Sequence, residues 1–243
     1  MYLIVDIGNT LAKFFVYEKG QCVVKHSIAL EQFQDEMQSL ISNHSNIKGI
    51  VYSDVSDHAG DFFKKLAVRF NVLSVDSQLR LPFENAYQSP ESLGSDRIVL
   101  VAAASKNFPY TNVLIIDLGT CITYDFLSSD QIYHGGAISP GFEMRYKSLH
   151  HFTGRLPSLD WKAVKDPEGK TTSDAIHAGI YYGILDEIEA RINYYESRYK
   201  SLTVILTGGD ANKLPKTLKN SIFANSNFVA EGMLHLLKLN MDS

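Results

Sequence analysis

The sequence predicts an α/β fold made of two similar halves, each with a mixed β-sheet flanked by helices. The main observation is a pair of short β-branched runs, at residues 4–10 and 115–120, that each reach an Asp-x-Gly turn followed by Thr. A second apolar run follows each turn, at 12–17 and 121–126, which indicates two hairpins. Glycine lets the backbone approach a bulky anion, and nearby hydroxyls and amides can hold phosphate oxygens. Two such turns therefore indicate a duplicated domain with a nucleotide between its halves.

The first half is predicted to run strand, strand, strand, helix, strand, helix, strand. Apolar residues recur at helical spacing in 31–43, and short β-branched runs bounded by turns indicate the strands. The predicted strands are 2–7, 12–18, 21–29, 47–52 and 71–75, and the predicted helices are 31–43 and 59–70. Pro82, Pro90 and Gly94 break the pattern over 80–95, and an apolar helix is expected at 96–106.

The second half repeats this plan. Its predicted strands are 112–117, 121–127, 131–137 and 203–207, and its predicted helices are 172–200 and 231–239, with a loop and short helices over 140–170. We accordingly expect an N-terminal domain over residues 1–110 and a C-terminal domain over residues 111–243.

Composition excludes several classes of protein. The 243 residues carry 23 Lys and Arg against 27 Asp and Glu without a basic cluster, which argues against a nucleic acid partner. Cys22 and Cys121 lie in unrelated contexts and fit reduced cytosolic thiols better than a disulfide framework. No apolar run reaches membrane-spanning length, and Met1 leads straight into the first strand, so we expect a cytoplasmic protein that makes no use of a membrane.

A set of short motifs in a particular order resembles the type III pantothenate kinase family, within the superfamily of acetate and sugar kinases, heat-shock ATPases and actin. The motifs are DIGNT at 6–10 with Lys13, YQSP at 87–90, LGSDR at 93–97, DLGT at 117–120, GGAISPG at 135–141, LP at 156–157, TSDAIHAG at 172–179 and TGGD at 207–210. Departures from the family pattern are mild, with Ser95 where Ala is usual and Thr171 where Asn is usual. The resemblance implies duplicated actin-like (ribonuclease H-like) domains with a nucleotide cleft between them.

The activity that the resemblance implies is ATP-dependent phosphorylation of pantothenate to 4'-phosphopantothenate, the first step of coenzyme A biosynthesis. The implied ATP phosphate loop consists of Asp6, Ile7, Gly8, Asn9, Thr10, Leu11, Ala12 and Lys13. Thr120 is implied to contact ATP, Asp6 to approach Mg²⁺ through water, and Asp117 to bind K⁺ or NH₄⁺. The alternatives are that Asp6 caps a turn and that Asp117 is a buried carboxylate bonded to turn amides.

The same resemblance implies the pantothenate site. Its residues are Tyr87, Gly94, Ser95, Asp96, Arg97 and Thr172, with Asp96 as the general base and Thr172 reaching the site of a partner subunit. The alternatives are ordinary structural roles: Asp96 and Thr172 as helix N-caps, Arg97 in a surface ion pair, and Tyr87 in the core or at its rim.

Other functions and one assembly question stay open at this point. The chain could be another small-molecule kinase or polyphosphate hydrolase of the superfamily, or a nucleotide-binding accessory regulator with little catalysis, although an intact Asp96 argues against a regulator. The resemblance also implies a homodimer. Helix 172–200 has a wide apolar face made of Ile176, Ile180, Ile184 and Ile188 at i, i+4 spacing, with Tyr181 and Leu185 alongside. Part of this face is expected to bury against a second copy, unless the sheet alone covers it.

Overall fold

The computed structural model describes the chain apart from residues 9, 56–58, 77, 216–217, 219–220, 226 and 242–243, and apart from the side chains of residues 221 and 223. The strands are β1 (Tyr2–Ile7), β2 (Leu11–Glu18), β3 (Gln21–Ala29), β4 (Gly49–Asp54), β5 (Asn71–Ser74), β6 (Glu84–Asn85), β7 (Asn112–Leu118), β8 (Cys121–Leu127), β9 (Ile132–Pro140), β10 (Leu202–Thr207) and β11 (Ser221–Phe223). The helices are α1 (Phe33–Asn43), α2 (Gly60–Leu66), α3 (Ser95–Asn107), α4 (Phe142–His151), α5 (Thr172–Glu196) and α6 (Phe228–Met241).

The first compact unit comprises residues 1–109, 131–133 and 226–243. Its sheet has the order β3-β2-β1-β4-β5, with β1 antiparallel to β2 and parallel to β4. The central strand β1 is apolar and buried along most of its length, whereas the edge strand β3 alternates between exposed and half-buried residues, as an edge strand with one solvated face does. One face of the sheet packs on α1 and α2, with Phe14, Met37 and Phe63 at the centre of the contact.

The second compact unit comprises residues 110–130 and 134–225. Its strands follow the equivalent order, β11-β10-β7-β8-β9, with β7 antiparallel to β8 and parallel to β10. The short β6 pairs in parallel with Ile132 and Tyr133, the first two residues of β9, which belong to the first unit. The predicted plan of two mixed sheets flanked by helices is therefore confirmed, as is the predicted order of elements in the first half.

The last helix, α6, packs within the first unit, although the predicted boundary at 110/111 placed it with the second half. Gly232 explains how it fits, because a Cβ at this position would lie 2.3 Å from the Val99 carbonyl oxygen of α3. Only glycine allows the two helices to approach this closely.

The isoleucine face of α5 is buried by the sheet of the same chain. Ile176 and Ile180 are 8% and 3% exposed, and Ile184 and Ile188 are fully buried in the core of the second unit. The sheet therefore covers the four isoleucines, as the alternative held. Tyr181 and Leu185 beside them are only partly buried, so a contact of this face with a second copy stays a prediction. The helix also ends at Glu196 rather than at 200.

Two features bear on the compositional expectations. Cys22 and Cys121 carry free thiols, as expected. Among the residues that the structure describes, no helix combines the length and apolar character needed to cross a bilayer.

Candidate active site

A row of three polar side chains crosses the sheet of the first unit where β1 ends. Asp6 on β1 lies opposite Lys13 on β2 and opposite Ser53 on β4, so the three side chains share one face of the sheet. The Lys13 Nζ lies 3.3 Å from the Asp6 Oδ2. Burial raises the pKa of Asp6, Lys13 opposes that rise, and the negative charge of Asp96 adds to it. Keeping the Asp6 carboxylate ionised therefore costs free energy, which a bound cation would offset.

The turn after β1 is closed by a bond from the Gly8 N–H to the Leu11 carbonyl oxygen, at 3.0 Å. Within the implied phosphate loop, Ile7 and Ala12 point into the hydrophobic core and are 2% and 0% exposed. These two residues can meet a ligand only through their backbone, whereas Asp6, Lys13 and the exposed Thr10 can offer side chains. The predicted loop residue Asn9 lies outside the described residues.

The start of α3 presents Asp96 to solvent. Asp96 is the second residue of the helix, and Gly94 occupies the N-cap position, so the interpretation of Asp96 as the cap is wrong. A Cβ on Gly94 would lie 2.5 Å from the Asp96 Oδ1, which shows that Gly94 leaves the space the carboxylate needs. The same oxygen accepts a 2.8 Å hydrogen bond from the Arg97 N–H. Ser95 at the first helical position bonds across to Ser53, with 2.9 Å between the hydroxyl oxygens.

Arg97 and Tyr87 form an aromatic and cationic wall in the same unit. Arg97 is 5% exposed, so it is a buried residue and not the surface residue that the alternative assumed. Its guanidinium carbon lies 5.5 Å from the centre of the Tyr87 ring, and that ring stacks at 6.1 Å on Tyr133. Because an Arg side chain stays charged even when buried, this wall carries a positive charge suited to an anionic ligand.

The second unit repeats the strand-end row with different chemistry. Asp117 on β7 lies opposite Thr123 on β8 and opposite Thr207 on β10, so it occupies the place that Asp6 has in the first unit. Thr123 is 6% exposed, and its hydroxyl has no hydrogen-bond partner among the described residues. A buried hydroxyl without a partner is costly, and a bound cation would provide one. Thr120, in the turn between β7 and β8, is exposed.

Backbone contacts hold this second turn from two sides. The Gly141 N–H donates to the Thr120 carbonyl oxygen at 3.1 Å, and a Cβ on Gly141 would lie 2.4 Å from the Gly119 carbonyl oxygen. Gly208 has a φ of +95°, and a Cβ there would lie 2.3 Å from the Leu118 carbonyl oxygen. Gly141 and Gly208 therefore serve close backbone approach to the turn at 118–120 rather than turn formation alone.

Thr172 begins α5 but does not cap it. The N-cap is Thr171, whose Oγ1 accepts a 3.1 Å bond from the Asp174 N–H and donates to the Asp174 carboxylate at 2.7 Å. Because Thr and Asn are both good N-caps, the departure from the family residue at 171 keeps the cap. Thr172 instead lines a cavity of about 520 Å³, together with Arg145, Ser148, Leu149, Leu156, Ala175, Ile176, Gly179 and Ile180.

The structure gathers the predicted residues within each unit. Asp6, Lys13, Tyr87, Asp96 and Arg97 belong to the first unit, and Asp117, Thr120 and Thr172 belong to the second. Sequence reasoning missed Ser53 and Thr123, whose positions beside the two aspartates depend on strand register. The available signal was their place on strands that pair with the two Asp-ending strands.

Comparison with known proteins agrees with this arrangement. The family model for type III pantothenate kinase matches residues 2–193. A type III pantothenate kinase of Christiangramia forsetii is 43% identical over 240 residues, covering 99% of each chain. Among solved structures, a Campylobacter jejuni protein described as a Baf family transcriptional activator is 25% identical, covers 99% of this chain and 100% of its own, and has a TM-score of 0.66.

The fold is shared more widely than the sequence. A Sinorhizobium meliloti protein described as a 2-dehydro-3-deoxygalactonokinase has a TM-score of 0.64 at 12% identity, covering 97% of this chain and 98% of its own. The predicted class of duplicated actin-like domains is therefore confirmed. The family model, the relative that matches end to end and the motifs at both strand ends lead to one conclusion: the chain belongs to the type III pantothenate kinase family.

Proposed function

We propose that this protein transfers a phosphoryl group from ATP to the terminal hydroxyl of pantothenate, giving 4'-phosphopantothenate, the first step of coenzyme A biosynthesis. The observation that carries the proposal is an exposed carboxylate, Asp96, next to the buried guanidinium of Arg97 at the start of α3. The negative charge of Asp96 is near enough to Asp6 to raise the pKa of Asp6, so the Asp96 carboxylate lies close to the row formed by Asp6, Lys13 and Ser53.

Asp96 acts as the general base in this proposal. Phosphoryl transfer to an alcohol needs a group that orients the hydroxyl and accepts its proton as the new bond forms. The space beside Gly94 and the bond from the Arg97 N–H fix the carboxylate at the helix start. Arg97 would pair with the carboxylate of pantothenate, and Tyr87 would cover the substrate.

ATP is bound by residues 6–13 and by Thr120. Lys13 is half-exposed, so its ammonium can leave Asp6 for a phosphate oxygen. Asp6 then fits an Mg²⁺ ion held through water, since Mg²⁺ keeps several waters and takes one or two carboxylates. The described residues contain no cluster of three or more His, Cys, Asp or Glu side chains that could hold a metal ion directly. When bound, Mg²⁺ would neutralise charge on the phosphates.

Asp117 and Thr123 fit a monovalent cation, K⁺ or NH₄⁺. The two residues are cross-strand neighbours on one face, so the carboxylate and the buried hydroxyl can face the same ion. The Thr123 hydroxyl supports this assignment, because it has no hydrogen-bond partner among the described residues and the ion would give its oxygen one. When bound, the cation would offset charge near the phosphates.

A homodimer is part of the proposal, and so is a contact of Thr172 with the substrate of the partner subunit. The homodimer is supported in this chain by exposed apolar side chains on β9, on α4 and just after α4, namely Ile138, Met144 and Phe152. Light scattering at micromolar concentration tests it, and a stable monomer would rule it out. The cytoplasmic location stays a prediction.

A coupled assay of ADP release tests the activity, with pantothenate compared with a panel of sugars and acetate and the product identified by mass. We expect turnover with pantothenate and a product heavier by one phosphoryl group. Turnover of a sugar or of acetate, but not of pantothenate, would identify another kinase. Phosphate release without an acceptor would indicate a phosphohydrolase, and nucleotide binding without turnover would indicate an accessory regulator. Each of these three results would overturn the proposal.

A further inference from the structure

Glu187 on α5 is the centre of a polar network inside the second unit. One carboxylate oxygen accepts a 2.8 Å bond from the Tyr124 hydroxyl of β8. The other accepts from the Ser139 hydroxyl of β9 at 3.1 Å and from the Arg145 guanidinium of α4 at 2.5 Å. Three elements therefore converge on one side chain, and the Arg145 bond is charge-assisted.

Arg145 extends this network to the backbone beside the second turn. Its Nε donates to the Pro140 carbonyl oxygen at 2.9 Å, and its Nη2 also lies 3.1 Å from the Ser139 hydroxyl. Pro140 is followed by Gly141, whose N–H donates to the Thr120 carbonyl oxygen. A continuous series of bonds thus runs from Glu187 through Arg145 and the Pro140–Gly141 peptide to Thr120.

We propose that Arg145 and Glu187 are positioning residues for the nucleotide-binding turn: they fix Pro140 and Gly141, and through Gly141 they fix the peptide of Thr120. The inference rests on the proposed function for the role of Thr120 in binding ATP. Neither residue is assigned a contact with the reacting atoms, so the expected effect is on nucleotide affinity.

The burial of the pair favours a role beyond that of a surface ion pair. The side chains of Arg145 and Glu187 are 20% and 27% exposed, and a partly buried pair is screened less than an exposed one. Burial alone raises the pKa of Glu187, but the bonds from Arg145, Tyr124 and Ser139 outweigh it and hold that pKa below its usual range. The carboxylate therefore stays ionised and keeps Arg145 in place.

Arg145→Lys separates positioning from simple charge pairing. Lysine can still pair with Glu187, but a single ammonium on a flexible stem does not reproduce the rigid fork that reaches Glu187 and the Pro140 carbonyl together. Glu187→Gln is the second variant, because it keeps the shape of the side chain and removes its charge. Lys147→Met is the matched control, since it removes an exposed pair with Glu143 on the same helix α4 and leaves the bonds of Arg145 to Glu187, Ser139 and Pro140 in place.

Two measurements are made on the full-length protein. The first is amide hydrogen exchange without nucleotide, in peptides covering 118–121 and 139–142. We expect faster exchange in both segments for Arg145→Lys and Glu187→Gln, and unchanged exchange for Lys147→Met. The second is steady-state kinetics, in which the KM for ATP should rise about tenfold, the size expected for losing one bond to a charged group, while kcat changes less than about twofold.

The results distinguish the inference from the proposed function. Unchanged exchange in both segments for both variants would overturn the positioning role, whatever the activity. A lower melting temperature with equal changes in the KM for ATP and for pantothenate would also overturn it, because that pattern indicates a general structural role. If the wild-type protein bound no ATP, the proposed function would fail, whereas the exchange data would still report on the turn.

Discussion

Replacing Asp96 by Asn is the most direct test of the proposed chemistry. Asn has nearly the size of Asp, and its side-chain oxygen can still accept the 2.8 Å bond from the Arg97 N–H. The N-cap of α3 is Gly94, so no capping side chain is lost. What the variant lacks is a group that can take the proton of the substrate hydroxyl. General base catalysis is worth about 10²–10⁴-fold, so we expect kcat to fall by that factor.

The expected change in stability is much smaller than the change in rate. Asp96 lies in the first turn of α3, where a negative charge interacts favourably with the helix dipole by about 0.3–1 kcal/mol. A loss of about 1 kcal/mol shifts the melting temperature of a protein of this size by roughly 2–4 °C. The rate loss instead corresponds to about 3–5 kcal/mol of activation free energy. ATP binding should persist, because Asp96 does not belong to the ATP phosphate loop.

The chain offers a matched control in Asp61→Asn. Asp61 is the second residue of α2, as Asp96 is of α3, and its 3.0 Å pair with Lys64 is fully exposed to solvent. The same chemical change there should leave kcat at the wild-type value. The assay is ADP release with saturating pantothenate and ATP, alongside thermal unfolding and an ATP titration. If Asp96→Asn turned over pantothenate at a near wild-type rate, the base would have to be Asp6, Asp117 or the γ-phosphate itself.

Three further variants test the strand-end rows and the cap. Asp6→Asn should raise the melting temperature above that of the wild type at pH 7–8. Because the pKa of Asp6 is raised in the folded protein, the wild type loses stability as the pH rises through that pKa, so the advantage of the variant should shrink on acidification. Unfolding followed from pH 4 to 8 checks this trend, and an advantage that grew at low pH would contradict it. Activity should require K⁺ or NH₄⁺, and Thr123→Val should raise the K⁺ concentration needed for activity. The stability of that variant in sodium should be unchanged or higher than that of the wild type. Equal turnover of the wild type in sodium and in potassium would refute the cation site. Thr171→Ala should lower stability by about 1 kcal/mol in a denaturant melt, whereas Thr171→Asn should not, and equal effects would argue against the cap.

The sequence predicted those features that depend on neighbouring residues. The two Asp-ending strands, their return strands and the order of elements from β1 to β5 are local patterns, and they were found where expected. β6 and β11, with two and three residues, are too short for any periodicity to show. The end of α5 was placed four residues late because 197–200 contain no Gly or Pro to mark a stop.

Features that depend on pairing between distant segments could not be predicted. Ser53 comes to lie beside Asp6 through the register of β1 with β4, a strand from elsewhere in the chain. Thr123 is on the return strand of the predicted hairpin, but its place opposite Asp117 depends on the register of that hairpin. The isoleucine face of α5 showed a wide apolar surface, but periodicity alone cannot say whether a sheet or a second copy covers it. The space that Gly94 leaves for the Asp96 carboxylate is likewise visible only in three dimensions.

The two strand-end rows place different side chains on the same backbone arrangement. Each places an Asp at the end of the central strand, with one polar residue on either side. In the first unit one of these neighbours is Lys13, a positive charge that can bind phosphate oxygens and that partly compensates Asp6. In the second unit the neighbours are Thr123 and Thr207, which offer neutral hydroxyl oxygens instead of a positive charge. The backbone arrangement is the same in both rows, so the different ligands that we propose for them depend on the neighbours of the two aspartates.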